Sequence, residues 1–390
     1  MKYSSVVKRI DGEGAAGWAV HFAAWEAKRQ GRDVIILSIG DPDFATPEPI
    51  TDAAVDAVRA GDTHYTDIEG RPALRELIAA RFAARVGGTW GPENAIVFNG
   101  TQGSLFATSL CLLEHGDEVI ALEPMYLTYG ATLTVGGATL VRVPQSAESG
   151  FRIDASLVAA ALTPRTRAIV VTNPNNPTGS VATRSELEAI AALAIGHDLW
   201  VISDEVYADL VFEGEHLSIA SLPGMAERTV TVSSLSKSHA MTGWRIGWAI
   251  GPTEFVEHMG RLGLTMSYGV AGFIQAAAIE ALLHHDAAVA DMRATYRRRR
   301  DLVHRELSKA ANLPVLSPHG AMYVMVDVRA FAPSATQFAW DLFNATGVSV
   351  LDAGAFGPAA EGWVRISFTI SDDDLREGCR RIVDFTRTLP

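Results

Sequence analysis

Leu199–Glu205, LWVISDE, is an almost unbroken apolar run that ends in two carboxylates. Alternation of apolar and polar residues would mark a strand wetted on one face; a continuous β-favouring run marks one covered on both. Similar runs occur at Val34–Ile39, Ala95–Phe98, Glu118–Leu122, Ala168–Thr172, Thr229–Ser233 and Ile246–Ile250. Helical patterns separate them. In Arg184–Ala194, Leu187, Ile190, Ala191 and Ala194 recur at helical spacing, and Thr183 with Glu186 forms a capping box. This alternation predicts an α/β fold, with a large domain whose mostly parallel seven-stranded sheet lies between helices.

The C-terminal part reads differently. Asp291–Lys309 is a long charged helix, followed by strand-like Met322–Val328 and Val364–Phe368 with a helix near Thr336–Asn344 between them. Ser371 with Asp374 caps a last helix carrying Leu375, Cys379 and Ile382. A smaller α+β domain is expected, built from the N-terminal segment and the C-terminal part. The expected division is 1–47 for the N-terminal arm and part of the small domain, 48–288 for the large domain and 289–390 for the small C-terminal domain. Arg297–Arg300 sit amid acidic residues, which argues for a solvated or salt-bridged helix face and not a nucleic-acid patch.

The chain has 390 residues and a formal net charge of −12. That balance fits a soluble globular enzyme and disfavours nucleic acid or an anionic membrane as the main partner. Cys111 and Cys379 are far apart, with no CxxC or metal-ligand spacing; buried thiols in a reducing cytoplasm are expected, and no metal. Lys2, Lys8, Arg9, Asp11 and Glu13 leave no apolar signal core at the N-terminus. Ala271–Leu283 is broken by Gln275 and Glu280, too short and too polar to span a bilayer.

In parallel sheets ligands bind at the carboxyl ends of strands. Polar clusters follow five of the runs: Gly40–Asp43, Gly100–Ser104, Asn173–Gly179, Asp204 with Glu205 and Tyr207, and Ser234–Lys237. Lys237 offers an amine that can condense with an aldehyde, and Arg245, eight residues on, a fork that can grip a phosphate. Pyridoxal phosphate carries both groups. Asp204 can hold the pyridine nitrogen protonated, and as a buried carboxylate it should have a cationic partner. Tyr207 and Asn176 can donate to the phenolic oxygen. Thr101 and Gln102 open a helix whose amides can face the phosphate, with Ser234 and Ser236 completing the cup. Tyr126 can stack on the ring. Arg365 in WVRISF can clamp a substrate carboxylate bidentately, and Gly40 would allow close backbone approach. The prolines of NPNNPTG make a cis Asn176–Pro177 bond conceivable.

Together these clusters resemble fold-type I, class I aminotransferases over nearly the whole chain. The blocks that carry the likeness are GDPDFATP, HYTDIEGRPALR, NGTQGSL, NPNNPTG, SDEVYADL, SLSKSHAMTGWRIGW, HGAMYVMVDV and VRISF. The resemblance implies that Lys237 binds the cofactor and shuttles the proton, with Asp204 and Tyr207 as its catalytic companions. It implies that Arg365, Asn176, Gly40 and Tyr126 meet the substrate, and that Tyr65 reaches the phosphate of a partner subunit in a homodimer with shared sites. Gln102 departs from the family's small-residue phosphate turn. Within the family, the features GDPDFATPEPI, THYTDIEG, SDEVYADLVFEGEH and SLPGMAERT are similar to arginine–pyruvate transaminases. Transfer of an amino group from an L-amino acid, with arginine as the candidate donor, to a 2-oxo acid such as pyruvate is the expected activity, by a ping-pong exchange. Asp67 and Glu69 are candidates to meet a guanidinium. The alternatives are an aspartate, alanine or aromatic preference, a β-eliminating C–S lyase of the same fold, and a non-catalytic regulator.

Overall fold

The computed structural model describes residues 1–10 and 17–389. Asp11 and Glu13 lie outside the described residues. A seven-stranded sheet forms the centre: β2 (Ala95–Phe98), β3 (Glu118–Glu123), β4 (Thr139–Pro144), β5 (Thr166–Thr172), β6 (Trp200–Asp204), β7 (Thr229–Ser234) and β8 (Gly247–Ile250). Their spatial order is β2-β8-β7-β6-β5-β3-β4. β3 to β7 are joined by parallel ladders, whereas β8 runs antiparallel to β7 and β2. The carboxyl ends of β2, β3, β5, β6 and β7 therefore meet the entry to β8 along one edge.

The unbroken apolar runs have their expected cause. Successive residues of a strand face opposite sides. Val201 packs among Ile169, Leu187 and Ile190 on one face; Ile202 packs among Leu105, Val170 and Phe255 on the other. The Arg184–Gly196 helix starts at Thr183 with the expected reciprocal cap to Glu186.

Two strand expectations need correction. The Val34–Ile39 run does not join the central sheet. Only β1 (Ile35–Ile36) is extended, and it pairs in parallel with β11 (Val348–Ser349). Its side chains sit in a separate core with Phe338, Leu375 and Cys379, so burial on two sides reflected a different partner. The seventh central strand is β4, TLVRVP, at the sheet's edge and mostly open to solvent, so it carries no continuous apolar run.

The smaller α+β lobe is built from the N-terminal segment and the C-terminal part. Its antiparallel sheet has the order β12 (Leu351–Asp352), β13 (Trp363–Ser367), β10 (Tyr323–Asp327), β9 (Val315–Leu316). Helices Asp286–Leu307, Ala335–Thr346 and Asp372–Thr386 cover it, the last capped by Ser371 as expected. The arginine run is salt-bridged but only partly solvated. Arg299 and Arg300 are buried, Arg299 against Asp43 and Asp372, Arg300 against Glu213 and Asp301. Cys379 is buried as expected, but Cys111 is only half-buried. Among the described residues no helix is long and apolar enough to cross a membrane.

Ile202 is fully buried between the two helical layers. Replacing it with Ala should cost about 2–5 kcal/mol, through lost burial and an unfilled cavity. The check is the urea midpoint of circular-dichroism loss, and a midpoint equal to that of the parent would contradict this packing.

Candidate active site

A cavity of about 160 Å³ opens at the carboxyl edge of the central sheet. Thr101, Gln102, Tyr126, Asn176, Asp204, Tyr207, Ser234, Ser236, Lys237 and Arg245 line it. They come from the first turn of the Gly100–Leu112 helix, the loops after β3 and β5, the ends of β6 and β7, and the entry to β8. All expected cofactor residues except Tyr65 thus converge. Tyr65 is 83% exposed, its ring against Tyr268. Asp67 is exposed and Glu69 lies against Gly260, both away from the cavity lining.

At the floor, Asp204 is buried. The Tyr129 hydroxyl donates to its Oδ2 at 2.8 Å, and the Val206 amide donates to Oδ1 at 3.2 Å. The expected cationic partner is not supplied by the described residues; a neutral phenol stands in its place. Burial pushes the Asp204 pKa up to about 6, and the Tyr129 and Val206 hydrogen bonds only partly oppose it. Its neighbour Glu205 is equally buried but accepts from Ser203, Ser218 and His216. Burial raises its pKa, yet the His216 contact and the Ser218 hydroxyl more than offset that and hold it below the ordinary glutamate value.

At the opposite end, Arg245 donates through Nη1 to the Thr242 carbonyl at 2.8 Å and sits in left-handed backbone geometry. Two glycines make this packing possible. At Gly100, which has φ +79°, a Cβ would lie 2.6 Å from Arg245 Nη2. At Gly247 it would lie 2.7 Å from the Thr101 amide nitrogen. The Thr101 hydroxyl is buried and has no partner among the described residues. Gln102 points its side chain elsewhere: Nε2 donates to Thr132 Oγ1 at 2.7 Å, and Oε1 accepts from Thr128 Oγ1 at 2.9 Å. Only its backbone amide is left for the cup.

Between the two ends, Lys237 Nζ donates to the Gly40 carbonyl at 2.7 Å. Gly40 thus reaches Lys237 from the small lobe, not from a central strand. Its missing side chain makes room for Tyr323, whose hydroxyl would lie 1.9 Å from a Cβ there. Asn176 Nδ2 donates to the Tyr207 hydroxyl at 3.3 Å, which shares a 3.0 Å hydrogen bond with the Tyr323 hydroxyl. Arg365 stands behind Asn176, only 2% exposed. Its Nη1 donates to Asn176 Oδ1 at 3.0 Å and its Nη2 to the Ser38 carbonyl at 2.8 Å, while Nε has no partner among the described residues. Its guanidinium lies 4.1 Å from the Tyr323 ring centroid and 4.9 Å from that of Phe356. Among the described residues the cis bonds are Glu123–Pro124 and Asn173–Pro174, not Asn176–Pro177.

Sequence reasoning missed Tyr129 and Tyr323. Both sit inside recognisable blocks, but ring direction leaves no mark in spacing. The residues fit pyridoxal phosphate on structural grounds. A buried carboxylate without a cation matches a pyridinium nitrogen. The unpartnered Thr101 hydroxyl, two nearby serines, a helix start and Arg245 match a phosphate. Lys237 lies between them.

The Asp204 carboxylate has a stability consequence. Its folded pKa of about 6 exceeds the usual 3.8, so ionising it opposes folding. The penalty is absent below pH 3.8, grows between there and about 6, and is complete above. Asp204→Asn should therefore raise the thermal midpoint of the cofactor-free protein at pH 8, by a free energy on the order of 2–3 kcal/mol. A lowered midpoint would show that the carboxylate is not strained by burial.

The family model described as aminotransferase class I and II matches residues 32–382. The chain is 50% identical over 382 residues to an arginine–pyruvate transaminase of Pseudomonas aeruginosa, covering 98% of this chain and 97% of that one. It is 41% identical over 376 residues to an aspartate/prephenate aminotransferase of Thermus thermophilus, covering 95% of each. The solved structure of Thermus thermophilus aspartate aminotransferase with maleate superposes with a TM-score of 0.94 at 39% identity, over 100% of both chains. With this fold, this cavity and these likenesses, the chain belongs to the class I and II aminotransferases and is a transaminase.

Proposed function

We propose that this transaminase carries pyridoxal phosphate on Lys237 and moves an amino group from an L-amino acid, with arginine the leading candidate, to a 2-oxo acid such as pyruvate. The observation that carries the reading is the single cavity in which Lys237, the cation-free Asp204 and the Arg245 cup face one another. The 50% identity to an arginine–pyruvate transaminase supports the choice of donor and acceptor.

Bound pyridoxal phosphate supplies an electron-withdrawing ring that stabilises negative charge at the substrate's α-carbon. The chain's own groups do the rest. Asp204 holds a proton on the ring nitrogen by charge pairing in a water-poor floor. Tyr207, oriented by Asn176, donates toward the phenolic oxygen. Arg245, Ser234, Ser236, Thr101 and the Gln102 amide anchor the phosphate, and Tyr126 bounds the ring. Arg365 and Asn176 hold the substrate carboxylate, with Gly40 alongside. The Lys237 amine, once free, would take the proton from the substrate's α-carbon and carry it across the substrate nitrogen.

The same reading divides the chain at 1–47, 48–288 and 289–390 and places it in the cytoplasm. It also makes the active form a homodimer. The exposed Tyr65, Leu264, Met266 and Tyr268 support that assembly, in which Tyr65 meets the partner's phosphate.

Lys237→Ala should abolish turnover and the absorbance of the lysine-linked cofactor; normal turnover would sink the mechanism. Arg365→Ala should raise the KM of amino and oxo acids about 10–100-fold, the worth of charge-assisted hydrogen bonds. Unchanged constants would remove the clamp. Screening arginine, ornithine, alanine, aspartate and aromatic donors against pyruvate and 2-oxoglutarate tests specificity. Inactivity with arginine would discard that donor and leave transamination intact.

A further inference from the structure

The segment between β1 and the Glu48–Arg59 helix belongs to none of the three sheets, yet it delivers the Gly40 carbonyl to Lys237. No backbone ladder holds residues 40–47, so side chains must. Thr242 Oγ1 donates to Asp41 at 2.7 Å, and Thr46 Oγ1 donates to the Ala240 carbonyl at 2.7 Å. The strongest tether is ionic. Arg299, on the long Asp286–Leu307 helix, donates through Nη1 and Nη2 to the two oxygens of Asp43 at 2.7 and 2.8 Å. Its side chain is 7% exposed and that of Asp43 is 27%. The remaining Nε donates to Asp372 at 3.0 Å. The guanidinium also lies over Phe44, 5.5 Å from the ring centroid, and Phe44 meets Tyr296 edge-on.

A fork with both arms on one carboxylate fixes position as well as charge, which a lysine could not do. The pair stands three residues along the chain from Gly40, and it is anchored in the small lobe. We propose that Arg299 and Asp43 form a latch that holds the Gly40 carbonyl in place, so that this carbonyl keeps the Lys237 amine aligned whenever the amine is not bonded to the cofactor. Arg299 is a positioning residue in this scheme, acting through Asp43 and the loop and touching neither substrate nor cofactor. The arginine run thereby gains a role in the reaction. The proposal rests on Lys237 being the reacting amine.

The test compares three single variants and the Asp43→Asn, Arg299→Met double variant. Asp43→Asn and Arg299→Met break the fork; Asp372→Asn removes the other partner of Arg299 and leaves the fork intact. The first readout needs no turnover. Cofactor-free enzyme is treated briefly with acetic anhydride, and acetylation of Lys237 is followed by peptide mass spectrometry. An amine released from Gly40 should react about fivefold faster in Asp43→Asn and Arg299→Met, and at the parental rate in Asp372→Asn. The second readout is kinetic. In the loaded enzyme the two fork variants should lose about tenfold in kcat, with cofactor affinity unchanged, because misalignment penalises proton transfer more than binding. The double variant should be no worse than either single one.

Parental labelling in both fork variants would overturn the latch. So would a Asp372→Asn variant that labels as fast as Arg299→Met, since general loosening of the helix would then be the cause. Should Arg299→Met fail to fold, Asp43→Asn, which keeps the side-chain shape, decides alone. Either overturning result leaves Lys237 chemistry standing, whereas normal turnover of Lys237→Ala would remove that chemistry itself.

Discussion

A carboxylate kept out of water at the end of a parallel strand governs this molecule. Asp204 can ionise there only against the cost of desolvation, and the chain meets that cost with a phenol and one amide, not with a cation. The result is a floor that gains most from a group bringing its own positive charge. Glu205, one residue on, shows the contrasting solution. Two hydroxyls and an imidazole fully partner it, so it supports the strand end and has no chemistry left to offer. Two adjacent buried acids are thus given opposite pKa shifts by their neighbours, Asp204 upward and Glu205 downward.

The two lobes meet in a chain of polar contacts. Arg365 lies on the ring of Tyr323, Tyr323 shares a hydrogen bond with Tyr207, and Asn176 contacts both Tyr207 and Arg365. The small lobe contributes Arg365 and Tyr323, the large lobe Asn176 and Tyr207. The positions of Arg365 and Tyr207 are therefore not independent, because a shift of one lobe moves a partner of each. Arg365 is already desolvated and oriented, so little reorganisation remains for a carboxylate that reaches it.

Much of this was legible in the residues. Continuous apolar strands, capped helices and polar clusters at strand ends follow from burial and period, and they located the cavity and most of its lining. What was hidden has physical causes. The Val34–Ile39 run has the composition of a central strand, but composition does not name the surface that buries it. β4 is an edge strand of the central sheet, and its exposed Thr139 and Arg142 break up the apolar run. Tyr129 and Tyr323 act through ring direction, which depends on packing and not on spacing. Gln102 stands where expected, yet two threonines turn its amide aside. Arg299 read as a helix-surface charge because its acidic partner, Asp43, is 256 residues away.

The exposed edge of the central sheet carries a further consequence. β4 pairs with β3 on one side only, and an unpaired strand is a template on which a foreign strand can add. Its sequence discourages this. Arg142 plants a charge mid-strand, drawn back toward Glu123, and Pro144 removes a backbone donor at the end. Growth of one molecule's sheet onto another's would have to expose that charge and omit that rung. A foreign strand approaching this edge would therefore meet a charge and a missing donor.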